Sequence, residues 1–168
     1  YDLSYGNRCK VVMRNCPGDV AYNPLFNLTR ELILEGVPTL LPPERVVIEV
    51  LESTVVDDKL IKALRKLRTQ GYTIALDDWM AFSKLQPLLG VADLVKIDVQ
   101  AFDPKRLAAE VGWLRTYGVQ LVAEKVETYA ELRRCSDLGF EFFQGFFLSR
   151  PEILRRTAVP PNQLETLE

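Results

Sequence analysis

From residue 45 onward, short β-branched apolar runs alternate with amphipathic stretches of helical period, and this leaves few folds open. "RVVIEVL" (Arg45–Leu51), "YTIALDD" (Tyr72–Asp78), "ADLVKIDV" (Ala92–Val99) and "VQLVAEKV" (Val119–Val126) read as strands buried on both faces. Between them, "DDKLIKALRKLRTQG" sets Leu60, Ile61, Leu64 and Leu67 on one helical face. Asp57 and Asp58 stand at its start, Gly71 at its end, and the charges of "LRKLR" on its solvated side. "FSKLQPLLG" is a short connection, a broken helical piece at most. "PKRLAAEVGWLRTYG" accepts Pro104 in its first turn and reads Trp113 as core, beside Val111 and Leu114. "TYAELRRCSDLG" is a helix ended by Gly139, and "FEFFQGFFL" (Phe140–Leu148) is a last strand. Upstream, "NPLFNLTRELILEG" holds a strand at Leu25–Leu28 and then a helix, while residues 1–22 hold one or two strands and no helix. Repeated strand–helix units with right-handed crossovers predict a parallel sheet of the α/β class.

Each apolar strand ends on a polar residue that its surroundings do not explain. These are Asn27, Glu49, Asp77 with Asp78, Lys96 with Asp98, Glu124 and Gln144, spaced 19 to 28 residues apart, about one βα unit. A single acid in a strand is ordinarily an edge residue or a salt-bridge partner. Six positions in phase instead point to a β/α barrel, where strand ends converge on the mouth that carries active sites. An unpaired buried carboxylate costs several kcal/mol. Several together are tolerated when they share a cation, and oxygen donors with an amide suit Mg2+, Mn2+ or Ca2+. A lysine among them balances charge or holds an attacking water. Asp98 and Glu52 are individually ambiguous.

Composition removes other chemistries. The 168 residues contain no histidine, which excludes Ser-His-Asp triads, Cys-His dyads and His-ligated zinc. A net charge of -2 gives no footprint for a nucleic acid polymer. No apolar run approaches the ~20 residues of a membrane helix. Three cysteines, Cys9, Cys16 and Cys135, fit no zinc pattern and read as reduced thiols of a cytoplasmic protein.

The motifs "VVIEVLES", "IALDDW", "LVKIDV", "LVAEKVET" and "FFQGFFLSRP" resemble, in order and spacing, those of EAL domains, the cyclic di-GMP phosphodiesterase family. The variants "ERVVIEVLE", "AEKVET" and "FQGFFLSRPEI" look most like the EAL half of EAL–HDOD two-domain proteins, over about Asn23 to Asn162. The resemblance implies a TIM-type β/α barrel, two divalent metals (Mg2+ or Mn2+) at its mouth and hydrolysis of cyclic di-GMP. By motif, Asn27, Glu49, Asp77, Asp78 and Glu124 would be metal ligands. Lys96 would orient the attacking water or stabilise the transition state. Glu127 and Gln144 would support the site, and Glu52 would hold the loop after the aspartate pair. Two-metal phosphodiester hydrolysis needs no histidine.

Departures from the family pattern bear on activity. Its aspartate pair is followed by a Phe-Gly-Thr-Gly loop that closes over metal and substrate. Here Trp79-Met80-Ala81-Phe82 follows, without the backbone freedom of glycine. The nearest match to the Glu-Ala-Leu motif is "YDLSY", which puts the shorter Asp2 at a metal-ligand position and Gly6 where a ligand-contacting arginine stands. The interval from Asp2 to Asn27 lacks roughly a helix and a strand, so the barrel is expected to be incomplete or modified on its N-terminal side. Apolar surface left there would need a partner or a second copy as cover. Residues 1–158 are expected to form the EAL-like domain and 159–168 a trailing linker toward an HDOD domain. The expected function is a degenerate, catalytically inactive interaction or regulatory module in bacterial cyclic di-GMP signalling, with Mg2+ or Mn2+ expected if the domain is active. The alternatives are a metal-dependent phosphodiesterase and a non-hydrolysing cyclic di-GMP receptor.

Overall fold

The computed structural model describes residues 25–145, together with the backbone of residues 12–14 and 20–21. Its strands are β1 (Val12–Arg14), β2 (Val20–Ala21), β3 (Leu25–Leu28), β4 (Val47–Val50), β5 (Thr73–Leu76), β6 (Leu94–Asp98), β7 (Gln120–Glu124) and β8 (Phe142–Phe143). Its helices are α1 (Arg30–Leu34), α2 (Asp58–Thr69), α3 (Pro104–Arg115) and α4 (Tyr129–Leu138). Between β5 and β6 only a 3-10 turn at Gln86–Leu88 stands where a helix would complete the unit, in keeping with the proline at its centre.

Local chemistry sets the helix boundaries. Asp57 accepts from the Leu60 amide at 2.8 Å and caps α2. Asp103 accepts from the Lys105 and Arg106 amides ahead of Pro104 and caps α3. Thr128 and Glu131 form a reciprocal capping box on α4, which Gly139 closes at φ 98.

The strands lie in the order β2-β1-β8-β7-β6-β5-β4-β3. From β3 to β8 all neighbours are parallel; β1 pairs antiparallel with β8 and with β2. Among the described residues no pairing joins β2 to β3, so this TIM-barrel-type sheet does not close. The opening lies between N-terminal strands, as the short Asp2–Asn27 interval predicts.

The two faces of the sheet bury different residues. Ile48, Val50, Ile74, Leu76, Val95, Ile97, Leu121 and Ala123 point to the helices and join Leu60, Leu64, Leu107 and Leu114 in the main core. On the inner face, Val47, Ala75, Leu94 and Val122 form a smaller apolar layer, flanked by Leu25 and Phe142. Two residues further along each strand, on the same face, come Asn27, Glu49, Asp77, Lys96, Glu124 and Gln144. The polar set is therefore one layer of the barrel interior, lying immediately above an apolar floor.

Trp113 departs from its expected place in the core. It is 37% exposed, and its ring lies between Trp79 (centroids 6.1 Å apart) and Tyr117 (5.0 Å, edge to face). The residues flanking it, Val111 and Leu114, do face the core, which places Trp113 at the border of the buried stripe. Asp2, Gly6, Cys9, Cys16 and the 159–168 segment lie outside the described residues.

Candidate functional site

Lys96 sits at the centre of the polar layer with a side chain that is 0% exposed. It is on the middle strand of the mouth: Leu76 pairs with Val95, so Asp77 emerges level with Lys96, while Glu49 arrives on β4 and Glu124 on β7. The ammonium donates to Glu49 Oε1 and Asp77 Oδ1 and lies 2.8 Å from Glu124 Oε1. Burial pulls the amine down, but Glu124, Asp77 and Glu49 outweigh it and hold Lys96 well above the usual lysine range. It is a fixed cation.

One ammonium does not balance three buried carboxylates. The group carries a formal charge of -2, which a single divalent ion would neutralise. Asp77, Asp78 and Glu124 can each offer one oxygen within 4.8 Å of the others, a spacing and donor type that fit a hard divalent cation. Asp78 turns into this position through a left-handed backbone (φ 46), and it is exposed where its partners are buried. On donor chemistry, the residues present suit one such ion.

Of the other expected site residues, Asn27 lies directly across from Glu49 in the β3–β4 register but is exposed. Gln144 stands at the end of β8, and its Oε1 is buried without a hydrogen-bond partner among the described residues. Glu52 and Glu127 are exposed and are not brought to the carboxylate group; the Glu127 amide belongs to the start of α4, where it donates to Glu131.

Two features escape sequence reasoning. Lys125, at φ 56, extends its ammonium to Asp98 on the adjacent strand. Trp79 is buried rather than looping out: its Nε1 donates to Glu110 at 2.8 Å and its amide donates to the Lys96 carbonyl at 2.9 Å. The only sequence signal for either is position, next to a strand-end acid.

The profile of the EAL domain family matches residues 23–151. The chain belongs to the EAL family. It is 30% identical over 99% of its length to the cyclic di-GMP phosphodiesterase CdgJ of Vibrio cholerae, of which it spans 37%. Among solved structures it resembles the Bacillus subtilis YkuI protein, in complex with substrate cyclic di-GMP and calcium. That likeness has a TM-score of 0.59 and 26% identity, over 75% of this chain and 36% of that one. It also resembles Klebsiella pneumoniae BlrP1, a manganese and cyclic di-GMP complex, with a TM-score of 0.60 and 29% identity over 73% and 37% of the two chains. The EAL domain thus spans little more than a third of these relatives.

In this EAL domain the segment after the aspartate pair is anchored at its two ends and exposed between them. Trp79 is buried with its ring tilted against Trp113, Ser83 is buried and donates its amide to the Met80 carbonyl, and Met80, Ala81 and Phe82 (φ 62) are exposed. A groove of about 420 Å³ between Phe82 and Trp113 lies beside the segment, and none of the mouth carboxylates lines it. No helix among the described residues is long and apolar enough to cross a membrane.

Proposed function

We propose that this EAL domain serves cyclic di-GMP signalling as a regulatory or protein-interaction module that does not hydrolyse the dinucleotide, while its mouth keeps a site for one divalent cation. The observation that carries this reading is the anchoring of Trp79 directly after the aspartate pair. Trp79 is held by Glu110, Trp113 and the Lys96 carbonyl, so the stretch that would close over a bound ligand is tied into the fold at its first residue. Gly6, at the place where the family's motif has a ligand-contacting arginine, supports the same reading. In this proposal residues 1–158 are the domain, 159–168 are a linker, and an adjacent HDOD domain is the candidate partner. Calorimetric titration with cyclic di-GMP, with and without Ca2+, tests it. The reading predicts no saturable heat up to about 100 µM, weaker than about -5.5 kcal/mol of binding. A micromolar affinity would overturn it in favour of a receptor.

A specific observation favours a second reading, a metal-dependent phosphodiesterase. Asp77, Asp78 and Glu124 present the oxygen triad described above, with Lys96 beside it. In that case the ion would polarise a phosphoryl oxygen, and Lys96 would hold the carboxylates in place and supply a fixed positive charge.

A further inference from the structure

We propose that Lys125 is a positioning residue that ties Asp98 to the rim of the mouth and so limits this EAL domain to a single divalent cation. Five carboxylates end the strands β4 to β7: Glu49, Asp77, Asp78, Asp98 and Glu124. Asp98 is the direct register partner of Glu124. By position it belongs with the oxygen triad, yet that triad is formed by Asp77, Asp78 and Glu124 without it.

The reason lies in how both Asp98 oxygens are engaged. Oδ1 accepts from the Gln100 amide at 2.9 Å, and Oδ2 takes the Lys125 ammonium. Lys125 reaches it from a left-handed backbone, φ 56, that lysine seldom adopts. The Gln100 side chain fixes that conformation by donating to the Lys125 carbonyl at 3.0 Å. Two cross-ties therefore join the ends of β6 and β7, and one of them is a charge. The Lys125 side chain is 59% exposed. Lys125 thus withdraws Asp98 and leaves Asp77, Asp78 and Glu124 as the oxygen set for one ion.

The inference deepens the proposed reading and rests on it for the cation site. Its test counts metal rather than turnover, so hydrolysis by the wild type would sink the earlier proposal and leave this one standing. Free Mn2+ is followed by electron paramagnetic resonance as it is titrated into the full chain, the wild type against Lys125→Gln, Lys125→Arg and the double variant Lys125→Gln with Asp98→Asn. Lys125→Gly, which suits the left-handed backbone, stands in if the glutamine variant does not fold. The wild type and Lys125→Arg should bind one Mn2+. Lys125→Gln should bind its first ion at least about fivefold more tightly, or take a second, as the loss of a nearby positive charge and the release of a carboxylate require. Adding Asp98→Asn should cancel most of the gain. Identical binding by wild type and Lys125→Gln, including none by either, would overturn the proposal, as would a gain that Asp98→Asn leaves untouched.

Discussion

At the scale of the residue, the site is organised by Lys96. Its ammonium is buried against Glu49, Asp77 and Glu124, and removing one partner of such a group strands the others. Lys96→Met should therefore destabilise the metal-free protein by about 3–5 kcal/mol in urea unfolding. Mn2+ should restore part of that loss, because it replaces the missing positive charge. A loss under about 1 kcal/mol would show that the carboxylates are solvated instead. These four residues were legible in the sequence because parallel strand ends and a two-residue side-chain period bring them to one face. The Lys125–Asp98 tie was not. It depends on a left-handed backbone at Lys125 and on the Gln100 side chain from the turn after β6, and no periodicity encodes either. The anchoring of Trp79 was not legible for a related reason: its partner, Glu110, lies a strand and half a helix further along the chain.

At the scale of the element, two junctions set the geometry of the mouth. The first is where β8 passes the exit of β7. Gln144 donates to Ala123 and accepts from the Val126 amide, and a Cβ at Gly145 would stand 2.0 Å from the Val126 carbonyl oxygen. Backbone has nowhere to retreat there, so Gly145→Ala should cost about 3 kcal/mol in chemical denaturation. It should also weaken Mn2+ binding, since Glu124, a member of the oxygen triad, lies in the segment displaced. The second junction is the start of α2. The Leu60 amide and then Arg30 of α1 hold the Asp57 carboxyl below the ordinary aspartate value of about 3.9. A lowered folded pKa stabilises above that value, and the gain is lost as pH falls through it. Asp57→Ala should lower the melting temperature by about 3 °C at pH 7, and the gap from wild type should narrow below pH ~4. A gap that does not change with pH would assign the effect to helix propensity alone. Strands and helices were legible to within a few residues because cap, glycine and apolar period agree. The missing helix between β5 and β6 was legible too, since Pro87 stands at its centre.

At the scale of the molecule, the alternation of strand and helix gave the parallel sheet, and the short interval before Asn27 gave its opening. The sequence could not show which strands form the edges. The antiparallel placement of β1 and β2 on the far side of β8 depends on long-range pairing that no local pattern specifies. The opening leaves Asn27 on an edge strand beside Glu49, where a barrel closed around it would enclose both. With Trp79 anchored beside the mouth, this is the basis of the proposal that the EAL domain keeps acids and lysine without enclosing a dinucleotide over them. The most direct test is linear-product formation from cyclic di-GMP with Mg2+ and with Mn2+, comparing the protein with its Asp77→Asn variant. Loss of single metal-site supports costs about 10–100-fold each, so turnover at least ~100-fold below that of an active family member, and equal in protein and variant, is predicted. Turnover of about 0.1 per second or more, against ~10 for an ordinary enzyme, that disappears in Asp77→Asn would contradict the account.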